Sequence, residues 1–250
     1  MSIFSNRIRK EELKHGDHIY SWRSAYIYAH HGIYVAENRV IHFSPGRNGQ
    51  LGTFVVSSSR PACYGRCPDC GLSGDSNGVV LSCLDCFLAD CPLYRFQYGE
   101  NTFTFLVQAR GGTCSLALAD PPDVVLHRAN YLVETGFGLY DVVRNNCEDF
   151  ALYLGLFAVD NSSIGRSGQA ASFFAAVISY PLKFVMANPL QILASAGVYF
   201  YYRYAKDIGV RKDVVKIAVE DLAMKIGLGK KVQEAYQATC LLVDQFHPDC

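Results

Sequence analysis

The stretch Arg144–Tyr153, Arg-Asn-Asn-Cys-Glu-Asp-Phe-Ala-Leu-Tyr, constrains the fold of this chain more than any other. Asn145 and Asn146 are good helix N-caps, and Glu148 with Asp149 suits a first turn, where the helix dipole favours negative charge. Phe150, Leu154 and Phe157 recur at helical spacing, so a helix is expected to begin at or near Cys147. Counting back along that apolar stripe puts Cys147 at its N-terminal end, facing the packed body of the protein. A helix N-terminus stabilises a thiolate, the nucleophilic form of cysteine. Glu148 and Asp149 oppose this, so a nearby imidazole is needed if the sulfur is to act as a nucleophile. Taken alone, the spacing fits an inert buried cysteine at least as well.

A chain of 250 residues, half of them hydrophobic, can hold one large domain or one domain with an appendage. Its formal net charge of zero gives no reason to expect nucleic acid as a partner. Residues 1–14 are polar and basic with no long apolar run, so export is not expected and a cytoplasmic setting is. In that setting ten cysteines point to metal binding or catalysis rather than to a disulfide framework.

Histidines are supplied early. Gly16-Asp17 reads as a turn, and residues 18–22 alternate as a short strand. Residues 26–35 and 40–43 read as two more strands joined at Glu37-Asn38, and they carry His30, His31 and His42. Two histidines on adjacent strands and a cysteine at a helix start are what a thiol enzyme needs: one imidazole takes the thiol proton and a second polar group orients the first. If Val35 pairs with Val40, His42 shares its face with His31; if Ala36 does, His42 shares its face with His30. Spacing leaves both open. His15 and His18 read as surface or strand-edge residues, and His127 and His247 as structural or solvated.

Three blocks in order resemble a known family: Tyr-Ala-His-His-Gly-Ile-Tyr-Val at 28–35, Val-Ile-His-Phe-Ser-Pro at 40–45, and Asn-Cys-Glu-Asp-Phe-Ala at 146–151. They are similar to the signature blocks of the lecithin:retinol acyltransferase family, a circularly permuted branch of the NlpC-type papain-like thiol hydrolases. The closest likeness is to the plant "NC domain" members. The likeness runs over residues 14–157. It implies an α+β fold: a permuted papain-like core whose antiparallel sheet packs on the Cys147 helix. The family's two histidines lie twelve apart, which matches His30 and His42, so the resemblance implies Cys147 as nucleophile, His30 as base and His42 as its orienting partner. Better-studied members take an acyl chain from a glycerophospholipid and pass it to water, an amine or an alcohol. Asp149 stands where animal members carry histidine, and His31 where they carry tryptophan.

Between hairpin and following strand lies a cysteine-rich insert, residues 63–91. Cys67-x-x-Cys70 and Cys83-x-x-Cys86 form two chelating pairs separated by twelve residues, the first followed by Gly71. Four thiolates in that spacing satisfy a closed tetrahedral zinc site, so a structural zinc on Cys67, Cys70, Cys83 and Cys86 is expected, with Cys63 and Cys91 as alternative ligands. No organic cofactor is expected. Residues 93–98 and 102–108 read as strands completing the sheet, 122–135 as a helix ended by Gly136, and Cys114 as a packed thiol.

The domain division expected is 14–160 for the catalytic unit and 161–250 for a helical, hydrophobic C-terminal region. Residues 170–182 are almost wholly apolar, and 184–204 are long enough to span a bilayer but interrupted at Asn188-Pro189 and Gln191. Lys183, Arg203, Lys206, Arg211 and Lys212, with the tyrosine cluster at 199–204, fit interfacial anchors. Membrane association through this region is expected, the rival being a buried helical hairpin over the sheet. A helix from about Lys212 to Ile226 and a second over 232–243 follow. The combined expectation is an acyltransferase or phospholipase that uses a lipid acyl donor and forms an acyl-cysteine. A cysteine amidase or peptidase and a non-catalytic scaffold are its rivals.

Overall fold

β-Branched and aromatic residues in alternation build three consecutive strands, β1 (His18–Arg23), β2 (Tyr28–Ala36) and β3 (Arg39–Ser44). The computed structural model describes residues 6–24, 26–45, 70, 78–108, 110–142, 145–156, 159–160, 168–169, 172 and 189–222. Glu37 and Asn38 join β2 to β3 with φ of 45° and 65°, the left-handed pair a two-residue hairpin turn requires. β4 (Gly78–Cys83) continues beside β3 and leads straight into the short helix α1 (Leu84–Leu88). β5 (Tyr94–Arg95) pairs with β1 on the other side, so the antiparallel sheet runs β4-β3-β2-β1-β5.

Two helices cover one face of this sheet: α3 (Pro122–Thr135), opened by proline and closed at Gly136, and α4 (Cys147–Leu156). α2, between β5 and α3, spans Thr102–Val107. Ile33, Ile41 and Phe43 from β2 and β3 pack with Phe150, Ala151 and Leu154 of α4 and with Ala129 and Leu132 of α3. Tyr20 and Ala29 pack with Leu152 and Leu156 further along α4. Strand alternation sends Gly32 and Val40 to the opposite face, where Leu84 and Phe87 of α1 lie.

The β2–β3 register pairs Tyr34 with Val40 and Gly32 with His42, and a bulge at Val35 sets Ala36 against Arg39. His42 therefore shares its face with Gly32 and, two residues along, with His30. A Cβ on Gly32 would meet Val40 Cγ1 at 2.8 Å, Phe87 Cε2 at 2.9 Å and His42 Cβ at 3.1 Å. Gly32→Ala is therefore expected to cost about 1–3 kcal/mol through overpacking, read as a lowered urea midpoint at unchanged m-value. A loss under about 0.5 kcal/mol would mean that α1 yields freely.

Several expectations are corrected. Thr102–Val107 is helical rather than extended because Asn101 Oδ1 accepts the Thr104 N–H at 2.9 Å, and this cap outweighs the alternating Thr-Phe-Thr-Phe pattern. The helix expected from Lys212 starts later, with helical residues at 219–222; before it lies β7 (Val214–Val215), paired with β6 (Val159–Asp160), as a β-branched pair favours. His18 is buried rather than at the surface, whereas His15 is exposed.

The membrane seat, and the localisation built on it, are also corrected. Among the described residues no helix is long and apolar enough to cross a membrane. α5 (Pro189–Lys206) turns polar groups inward: Ser195 and Arg203 are each 2 % exposed. The Arg203 guanidinium lies 4.3 Å from the centre of the Phe105 ring and donates to Cys114 Sγ at 3.6 Å. Past its end, Asp207 accepts from Ser115 Oγ and the Leu116 N–H. Arg203 is thus a strut inside the protein rather than an interfacial anchor. Residues 173–188, 223–250, Cys63 and Cys67 lie outside the described residues.

Candidate active site

Asn146 is the N-cap of α4. Its Oδ1 accepts the Glu148 N–H at 2.8 Å and the Asp149 N–H at 3.1 Å, and Asp149 Oδ2 accepts the Asn146 N–H at 3.1 Å. This reciprocal capping box gives Asp149 a structural task in the helix start. Asn145, the other expected cap, ties the preceding loop by donating to the Phe137 and Leu139 carbonyls. Asn146→Ala is expected to cost about 1–2 kcal/mol, measured by urea unfolding, because buried amides of the first turn lose their acceptor.

The cap delivers Cys147 to the backbone of β2. Its Sγ lies 3.8 Å from the Ala29 carbonyl oxygen and accepts from the His31 N–H and the Tyr140 hydroxyl. The sulfur is thus held against the stretch of strand whose middle residue is His30. Burial pushes the thiol up to about 11, with Glu148 and Asp149 adding to the rise and the two donors opposing it.

Glu148 and Gln169 complete this wall; the sequence marks Glu148 only as a first-turn acid, and Gln169 carries no signal in it. Glu148, 1 % exposed, accepts the Gly168 N–H at 2.8 Å and the Gln169 N–H at 3.0 Å. Gln169 then reaches β2: its Oε1 accepts the Ala29 N–H at 2.6 Å and its Nε2 donates to the Ala29 carbonyl at 3.1 Å. Its side chain occupies the place a neighbouring strand would otherwise hold.

His30 and His42 meet at 3.0 Å, Nε2 to Nδ1, and His42 Nε2 lies 3.0 Å from Ser82 Oγ. Both rings project to the α1 side of the sheet, against Phe87, with ring centres 5.3 and 5.5 Å from it. Burial lowers both imidazoles, His42 to about 3 with the Arg23 guanidinium adding to the effect, and His30 well below its usual range with the charges of His42 and Arg23 adding to it. His31 projects to the α4 side. Its Nδ1 lies 2.8 Å from His18 Nε2, whose Nδ1 lies 2.8 Å from the Tyr98 hydroxyl, and its ring stacks on Tyr20. Burial lowers His31 to about 3. In the resting site burial thus holds thiol and imidazoles alike towards their neutral forms, with the sulfur on the β2 backbone and the His30 and His42 rings on the α1 side of the sheet.

Cys70, Cys83 and Cys86 converge beside this site, all three sulfurs within 4.8 Å of one another. Cys67, the fourth of the expected zinc set, lies outside the described residues, and Cys91 is half-buried and not in the group.

Against known proteins, residues 11–156 match the family model described as Lecithin retinol acyltransferase. The plant protein LEAD-SENSITIVE 1 of Arabidopsis thaliana is 50 % identical over 243 residues, spanning 92 % of this chain and 93 % of the relative. The match begins before β1 and ends with the last residue of α4, so it takes in both pairs of histidines and the Cys147 cap. The chain belongs to the lecithin retinol acyltransferase family.

Proposed function

We propose that this protein is a thiol-dependent acyltransferase or phospholipase that acts on lipid acyl esters through an acyl-cysteine, with its catalytic residues drawn from residues 14–160, on a permuted papain-like core. The observation that carries the proposal is the seating of Cys147 Sγ on the β2 backbone flanking His30, with His30 bonded to His42 at 3.0 Å. Lecithin, in the family's description, is the acyl donor class carried over to this chain.

In this reading His30 keeps its proton on Nε2, donates it to His42 Nδ1, and offers Nδ1 as the base. His42 in turn donates from Nε2 to Ser82 Oγ. Cys147 attacks the ester carbonyl as His30 takes the thiol proton. His30 then returns that proton to the leaving alcohol, and an acyl-thioester remains on Cys147. Water, an amine or an alcohol gives its proton to His30 and attacks the thioester, and His30 passes that proton to the departing sulfur, restoring the Cys147 thiol and the neutral imidazole. Backbone amides around the sulfur, that of His31 among them, serve the oxyanion. Asp149 in place of histidine favours a scaffold only if that position is catalytic, and its carboxylate is engaged in the cap instead.

The test is to incubate the protein and its Cys147→Ala variant with a short-chain phosphatidylcholine and weigh both intact. An added acyl mass on the native chain alone is expected. No adduct and no released fatty acid from folded protein would overturn the reading for this donor class and turn attention to amide substrates.

A further inference from the structure

Cys86 is disulfide-bonded in this structure, and we propose that once a thiol reductant has opened that bond Cys70, Cys83 and Cys86 bind a thiophilic divalent cation of the zinc class, which clamps β4 and α1 against the His30–His42 pair. The three sulfurs come from separate places: Cys70 from the insert, Cys83 from the last position of β4, and Cys86 from the first turn of α1. Cys83 Sγ lies 3.0 Å from Cys86 Sγ, and Cys70 Sγ 3.1 Å from Cys86 Sγ. An ion bound at about 2.3 Å from each sulfur spaces thiolates by roughly 3.8 Å, inside the 4.8 Å span of the group.

The backbone is already arranged for thiolates. The Cys83 N–H points at Cys70 Sγ at 3.2 Å, and the Cys86 N–H at Cys83 Sγ at 3.4 Å. Hydrogen bonds to sulfur favour the deprotonated form that a metal requires. The pair three residues apart in the chain, Cys83 and Cys86, makes a chelating turn, and the Leu84 N–H to the Asn38 carbonyl at 2.7 Å anchors that turn to the β2–β3 hairpin.

The clamp follows from what lies between the ion and the histidines. Ser82, which meets His42 Nε2, directly precedes Cys83; Phe87, which lies against both rings, directly follows Cys86. The far end of α1 is held separately, by the Arg23 guanidinium donating to the Phe87 and Leu88 carbonyls. A five-residue helix cannot hold itself together in water, so fixing both ends is what gives Phe87 a defined position. The site does not depend on the acyl-transfer reading, and its test needs no turnover.

Purified protein reduced with an excess of thiol and then loaded with zinc is expected to retain about one ion per chain after gel filtration, and cobalt in its place to show a thiolate charge-transfer absorption. Cys83→Ser and Cys86→Ser are expected to lose at least about nine-tenths of the bound metal, while Cys91→Ser retains it. Chelation of the native protein is expected to speed amide exchange at least about tenfold over residues 39–44 and 78–83 relative to β1. Absence of stoichiometric metal, absence of the cobalt–thiolate band, or a disulfide within the group in reduced, metal-exposed protein would overturn the site. Unchanged exchange on chelation would overturn the clamp. The cobalt and exchange measurements use the native chain, so a variant that fails to fold leaves both parts decidable.

Discussion

Cys147→Ala is expected to abolish acyl-enzyme formation, and His30→Gln to lower kcat/KM by about three orders of magnitude or more, with the double variant no worse than Cys147→Ala alone. Residues that act as one unit lose activity non-additively, so this equality separates a joint catalytic role from two independent contributions. The measurement is hydrolysis of a short-chain phosphatidylcholine by variants whose folding is checked by circular dichroism. If His31→Gln silences the enzyme with its fold intact while His30→Gln does not, the base lies on the α4 side of β2, in the chain that runs through His18 to Tyr98. The thiol itself offers a second readout. With Cys147 pushed up to about 11, its alkylation by iodoacetamide is expected to rise about tenfold per pH unit from 7 to 10, with no plateau near neutrality. A plateau below pH 7 would reveal a preformed ion pair.

Folding stability is expected to fall steeply on mild acidification. Burial holds His31 and His42 near 3 and lowers His18 and His30 as well, whereas in the unfolded chain each takes up a proton near 6.5. Between those values the unfolded state binds more protons, so the contribution is complete above about pH 6.5 and is lost as pH falls towards 3. From pH 7 to 5 each of His31 and His42 accounts for about 2 kcal/mol of that loss. Asp17 and Asp207, raised by burial, oppose it as pH approaches the carboxylate range. Urea unfolding at pH 7, 6 and 5 measures the slope, and His31→Gln should remove about one proton from the uptake on unfolding. A flat profile over this range would mean that water reaches these rings in the folded state.

The parts legible in the sequence are those governed by short-range physics. The α4 start follows from Asn146 and the acidic turn, α3 from Pro122 and Gly136, and the β2–β3 hairpin from alternation around Glu37-Asn38. The face shared by His30 and His42 depends on a bulge at Val35 that no local pattern announces, so alternation alone left two registers open. His18 looked like an edge residue because its partners, His31 and Tyr98, are 13 and 80 positions away. Thr102–Val107 alternates like a strand, yet one side-chain cap makes it a helix. The tyrosines and basic residues around Tyr199–Tyr204 resemble an interfacial belt until Arg203 is seen to turn inward to Phe105. Gln169 was invisible for a simpler reason: an amide side chain that replaces a missing strand neighbour leaves no periodic trace.

The Glu148–Gln169 bridge also sets the smallest piece of this chain that can stand alone. A fragment trimmed to the family match at residue 156, or at 160, would strip Glu148 of both its amide donors and leave Ala29 with an open N–H and carbonyl beside the nucleophile. A buried carboxylate without donors costs several kcal/mol. Such a fragment would collect in the insoluble fraction of an expression culture through no fault of its catalytic residues, and a lack of activity in it would say nothing about the chemistry of Cys147.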